Sequence, residues 1–422
     1  MDGDARTLQE LAALDRRLVQ AVKGIKLLSL VSWPIKVQTQ FLERHHKGKT
    51  RLPEVEYPRL DFTGTRDEIE AIQQVAKTYG DHPVADYIWR TAESSSLAAQ
   101  LLESVGTPQM TEFSIRLFGR PGHNLPGAEV TNLDAARHFI FLADELSREL
   151  ATVEADYCIS AEILRDELQT QIDLMFTHHK VAVEIDPNLT AKAAAGTTRI
   201  RLRSATGFSE YDRHQLLEHE AFVHSLTGIN GREQPNLTSL ALNTPRVTAT
   251  QEGLATFAEQ ITGTIDIGRM KRISMRIIAI DMALKGADFI DVFRYFLEND
   301  QTEADSFSSA SRIFRGAPVT GGAAFTKDTV YLHGLLSVHT FFRWSLKNQR
   351  LKLCRSLFAG KMALHDVIAL EPWFDSGWII QPTYLPHWVQ RANGLAGALA
   401  FSLFANRIRL ERVQAEDLVL GF

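Results

Sequence analysis

His219-Glu220-Ala221-Phe222-Val223-His224 sets two imidazoles and a carboxylate within six residues. Neutral imidazole is a metal ligand, and a carboxylate beside it can take a proton from water. A hydrolytic zinc centre uses three protein ligands, one open position and such a base. Histidines four apart on a helix stand ~40° from each other around its axis. Here they are five apart, which is ~140° on an ideal α-helix, and both rings could not reach one ion. One extra residue in the turn, a π-bulge, returns positions i and i+5 to a common face. The spacing therefore predicts a wide helical turn between His219 and His224.

Downstream, Thr250-Gln251-Glu252-Gly253-Leu254-Ala255 opens a second helix that runs to about Ile261. A glutamate on a neighbouring helix, a few tens of residues on, is a common third ligand, and Glu252 is the favoured one. Glu233 in the intervening loop and Glu259, two turns beyond Glu252 on the same face, are its rivals; Glu259 also suits a group that orients a histidine. Upstream, Lys180 to Ile185 and Thr197 to Arg203 alternate apolar and polar residues as strands do. Apolar residues at three- and four-residue spacing predict helix over residues 8 to 46, 66 to 105 and 132 to 176, and mostly helix after Ala249. Loops are expected around Lys47 to Pro58, Gly119 to Gly127, Gly316 to Gly322 and Pro382 to Pro386. The result is a predominantly helical α+β chain, with a small sheet just ahead of the metal-binding helix. It divides into an N-terminal helical region, 1–175, and a catalytic region, 176–422.

The net charge of −5 over 422 residues shows no basic excess that would call for nucleic acid. The two cysteines, Cys158 and Cys354, are too few and too far apart for a disulfide framework or a thiolate zinc site. The N-terminus is polar and acidic, unlike a signal peptide. The most apolar early run, Ile25 to Pro34, is too short to span a bilayer. These features lead to the expectation of a cytoplasmic protein without membrane or nucleic-acid partners, its oligomeric state open.

The metal motif and Gln251-Glu252-Gly253-Leu254-Ala255 together resemble the QEGLA-motif family, whose bacterial members carry the label flavohemoglobin expression-modulating protein. That family is similar to the eukaryotic tubulin tyrosine carboxypeptidases. Gly106-Thr107-Pro108, Ser114 to Gly119, Thr227 to Pro235 and Phe325 to Tyr331 extend the resemblance over most of the chain from about residue 60. It implies zinc held by His219, His224 and Glu252, Glu220 as general base, a zincin-like fold and a carboxypeptidase-like activity on a peptide or protein C-terminus. It does not imply tubulin as the substrate.

Further roles follow from the chemistry. A developing oxyanion needs a donor, for which Tyr331 is the candidate and His333 the alternative. A terminal carboxylate needs a cation, and Arg312, Arg315 and Lys327 flank the glycine-rich loop. Arg199, Arg201 and Arg203 share one face of a strand. They suit edge-strand charges that block aggregation, or a grip on an acidic peptide laid along that strand. Two other readings stand beside the peptidase: a metal-containing regulatory protein without activity, and a hydrolase of a non-peptide amide. Glu220 favours an enzyme, because a structural metal needs no base.

Overall fold

The computed structural model describes residues 2–150, 159–187, 189, 191–204 and 206–409. Helices dominate, with a single three-stranded sheet among the described residues. The stretch expected to be helical from 8 to 46 is broken. Helices Asp2–Ala21, Leu27–Val31 and Ile35–His46 are separated at Gly24 and at Ser32-Trp33-Pro34. Pro34 explains the second break, since the residue before a proline avoids helical backbone. Within Ala5–His46 one window is apolar and long enough to cross a membrane by composition, but these breaks leave no single helix there longer than 20 residues. Cys158 lies outside the described residues; Cys354 is buried and unpaired.

The sheet comprises β1 (Ala182–Asp186), β2 (Ala193–Ala195) and β3 (Arg199–Arg203) in the order β1-β3-β2. β1 runs parallel to β3, with Val183 opposite Ile200, and β2 runs antiparallel, with Ala194 opposite Arg201. β2 carries no alternation in Ala193-Ala194-Ala195, which is why periodicity does not reveal it. Its presence makes β3 the central strand. The expectations that the three arginines guard an edge, or that a peptide pairs with this strand, are therefore overturned: both sides of β3 are taken. Ile200 and Leu202 point into the core, while Arg201 pairs with Asp186 at 3.0 Å and Arg199 with Glu184 at 3.6 Å.

One continuous apolar core runs from Leu11, Leu14 and Leu18 of the first helix, through Ile88, Phe222 and Phe257, to Phe342 and Leu399. Burying side chains of this size contributes about 1.5–3 kcal/mol each. The first helix also reaches inward with a charge: buried Asp15 accepts from the Ser239 N–H and the Thr238 hydroxyl, each at 3.0 Å. It thereby pins the segment that leads into the Thr248–Ile261 helix. That helix packs on Val330–Lys347 with backbones in contact. A Cβ at Gly253 would fall 2.2 Å from the Gly334 carbonyl carbon. Residues 248–261 and 330–347 carry Glu252, Glu259 and Tyr331, described next.

Candidate metal centre

A capping box of Ser209 and Asp212 starts the helix Glu210–Leu216. The chain then widens into a π-helix over Leu217–Ser225 before returning to α-helix at Leu226–Arg232. The wide turn demanded by the five-residue spacing is thus present between the two histidines. It brings their rings to 4.8 Å between centroids, nearly perpendicular. Glu252, on the first turns of Thr248–Ile261, faces both: its Oε2 is 3.7 Å from His219 Nε2 and 3.6 Å from His224 Nε2. One ligand atom from each of the three residues lies within 4.8 Å of the others, so the group could hold a metal ion.

The side of His219 away from Glu252 is set by buried charges. His219 Nδ1 meets Glu259 Oε1 at 2.6 Å, which leaves Nε2 turned toward Glu252. Glu259 is fully buried and is held by Arg269 and by Gln215 Nε2 at 3.0 Å. Burial opposes ionisation of Glu259, but Arg269 and His219 outweigh it and lower its pKa to about 2. Burial likewise opposes protonation of His219, yet Glu252 and Glu259 raise its pKa to about 10 without a metal. For Glu252, burial is overcome by Lys327 and the two histidines, which keep its carboxyl well below the usual range.

Lys327 Nζ donates to Glu252 Oε1 at 2.8 Å and to Tyr331 Oη at 3.2 Å. Arg312 grips Asp328 with two bonds, 2.6 and 2.8 Å, and donates to Tyr331 Oη at 3.3 Å. Tyr331 thus accepts from two cations, and its own proton remains to be given. Lys327 and Arg312 are each committed to a carboxylate of the protein. Arg315 has no ion-pair partner among the described residues; burial and neighbouring Arg312 lower its pKa to about 10. Beside it, Arg276 reaches Asp328 only at 3.7 Å and leaves its Nε without a partner. Glu220 is half-buried on the π-turn, close enough to His219 to act on its charge. Glu233 sits apart, near His179 at 3.5 Å and Thr383. His333 feels His123 rather than the histidine pair.

Sequence reasoning did not find Arg269, Gln215 or Arg276. Their signal is the buried carboxylate each one serves, which becomes visible only when distant helices meet. The profile of the microtubule-associated tyrosine carboxypeptidase family matches residues 39–407. The chain belongs to that family. The match spans the π-turn, Glu252 and the Lys327–Tyr331 segment, so the family assignment and the clustered groups concern the same part of the molecule. The family name denotes a carboxypeptidase, a peptidase that acts on a peptide or protein terminus. No curated protein matches the chain.

Proposed function

We propose that this protein is a zinc-dependent carboxypeptidase with a zincin-like catalytic region, removing a C-terminal residue, tyrosine among the candidates, from a peptide or protein. The observation that carries the reading is the convergence of His219, His224 and Glu252 with Glu220 on the same π-turn. Two imidazole nitrogens and one carboxylate oxygen, with a position left open, make a donor set suited to catalytic zinc. His219, whose Nδ1 is taken by Glu259, turns its Nε2 to the side shared with Glu252 and His224, where such an ion would sit. Bound there, zinc would supply an acidified water and a polarised carbonyl.

The remaining work falls to side chains. Glu220 accepts the proton of the attacking water and returns it to the departing amine. Tyr331, with two cations donating to its oxygen, turns its own O–H to the oxygen of the tetrahedral intermediate, an interaction worth a few kcal/mol at other oxyanion sites, roughly 3. Lys327 holds Glu252 ionised and in place, and Arg312 with Asp328 fixes the tyrosine. The retained Glu220 favours this reading over a metal-holding regulatory protein.

The test is zinc content and peptide cleavage together. Wild-type protein should carry about one zinc per chain and shorten peptides with free but not amidated C-termini. Glu220→Gln should keep the zinc and lose at least about a hundredfold in turnover. A wild type that holds zinc and cuts none of these peptides would return the regulatory reading to first place.

A further inference from the structure

Lys361 lies in the turn between helices Lys352–Ser356 and Leu364–Ala369 and is 5% exposed. Its backbone N–H donates to Leu240 O at 2.7 Å, and its ammonium donates to the side-chain oxygen of Asn243. The two segments are clamped a second time by Arg246, which holds Asp366 through bonds of 2.8 and 2.6 Å. The Lys361–Asn243 pair is therefore fixed in place. Asn243 is neutral, and it is the one hydrogen-bond partner of the ammonium among the described residues. An ammonium has three protons to place, and burying one without a counter-charge is costly.

The position of this cation matters. Gly228, one turn beyond His224, lies against it: a Cβ there would stand in contact distance, 3.4 Å from Lys361 Cε and 3.7 Å from Nζ. The charges that act on Lys361 are Glu252 of the Thr248–Ile261 helix, Arg232 of the Leu226–Arg232 helix and Glu220 of the π-turn. Arg315, which has no ion-pair partner among the described residues, is acted on most by Arg312, Asp328, Tyr331 and Tyr57, none of them from the histidine cluster. In a peptide cut one residue from its end, the scissile carbonyl and the terminal carboxylate are separated by about one residue, roughly 4 Å. The cation that reads that carboxylate must stand beside the reacting carbonyl. Lys361, packed against Gly228 one turn beyond His224, is the buried cation on that side of the cluster. Arg312 and Lys327 already hold protein carboxylates, and the charges that weigh most on Arg315 are those of Arg312 and Asp328.

We infer that Lys361, steadied by Asn243, receives the free α-carboxylate of the substrate peptide. The inference rests on the carboxypeptidase reading for its choice of ligand, but binding can be measured apart from turnover. Burial pushes the ammonium down to about 8, with Glu252 and Glu220 pulling it up and Arg232 adding to the fall. A lysine with a lowered pKa is charged below that value and neutral above it. Carboxylate binding should accordingly weaken as the pH rises.

The experiment titrates zinc-loaded full-length Glu220→Gln protein by calorimetry with a tyrosine-ended hexapeptide, as the free acid and as the amide. The free acid should bind roughly ten- to hundredfold more tightly, the range for a hydrogen bond to a charged group. The added change Lys361→Met should bring the two affinities together with zinc content unchanged. Asn243→Ala should narrow the difference in part. If Lys361→Met does not fold, the pH arm decides on the parent protein: the preference for the acid must shrink as the pH rises. Equal affinity for acid and amide, or a preference that neither the variant nor the pH alters, overturns the inference. A Lys361-dependent preference in a protein that cleaves nothing would remove the peptidase reading and leave the carboxylate site standing. Cleavage with a preference indifferent to Lys361 would do the opposite.

Discussion

His219 is held between two carboxylates, Glu252 on one ring nitrogen's side and Glu259 on the other. In the metal-free protein this raises its pKa to about 10 against the opposing effect of burial. At neutral pH the ring therefore carries a proton that an incoming metal ion must displace. Zinc uptake at pH 7 should release about one proton, seen as a buffer-dependent heat in calorimetry, and apparent affinity should climb with pH. Equal heats in buffers of different ionisation enthalpy would contradict this. Glu259→Gln removes the partner that orients the ring. Zinc affinity should drop roughly ten- to hundredfold, as measured by competition with a chromogenic chelator. Glu259 also links acid to stability. Its folded pKa of about 2 lies below the ordinary carboxylate value, so its contribution is complete above about pH 4.5 and is lost as pH falls toward 2. The metal-free protein should lose stability in that window, and Glu259→Gln should flatten the dependence. Much of this residue scale was legible beforehand. Two histidines at an awkward spacing, a carboxylate between them and a glutamate downstream are local patterns. Arg269 and Lys361 were not legible, because a lone basic residue in a helix or turn has no pattern until its buried partner arrives from elsewhere.

At the scale of elements, the π-turn over Leu217–Ser225 is the clearest case of sequence dictating shape. A five-residue spacing with two ligand-type side chains is satisfied by one extra residue per turn and by little else. The strands fared differently. Lys180 to Ile185 and Thr197 to Arg203 show alternation and appear as β1, shifted by one or two residues, and β3, shorter by two at its start. β2 is three alanines, whose side chains are too small and too alike to mark a buried face. Missing it turned a central strand into an imagined edge. The Thr248–Ile261 and Val330–Lys347 helices meet through Gly253 and Gly334, where an added Cβ would lie 2.2 Å from backbone on either side. Gly253→Ala should cost about 1–3 kcal/mol or more in a urea titration, because backbone cannot shift aside as a side chain can. A loss below about 0.5 kcal/mol would mean that the two helices separate easily.

Across the whole molecule, the N-terminal helix is built into the core rather than appended to it. Leu11 and Leu18 are fully buried, and Asp15 holds the Thr238-Ser239 segment, over two hundred positions away in sequence. Asp15→Ala leaves the Ser239 amide and hydroxyl without their acceptor, a change expected to cost about 1–3 kcal/mol and to lower the thermal midpoint by a few degrees. Its heptad-like leucines were readable as helix, but not as core. Periodicity reports which face is apolar and is silent on what will cover it.

The glycine contact between the two central helices has a reach beyond stability. Glu252 is next to Gly253, and Tyr331 is one turn before Gly334. The residue that faces the histidines and the residue that accepts from Lys327 and Arg312 thus ride on two rods fused where they cross, within the first two turns of each. Any side chain wedged between those rods moves both groups at once. A survey of variants scored for folding and one scored for turnover would single out the same two glycines, although neither carries a side chain to take part in the chemistry.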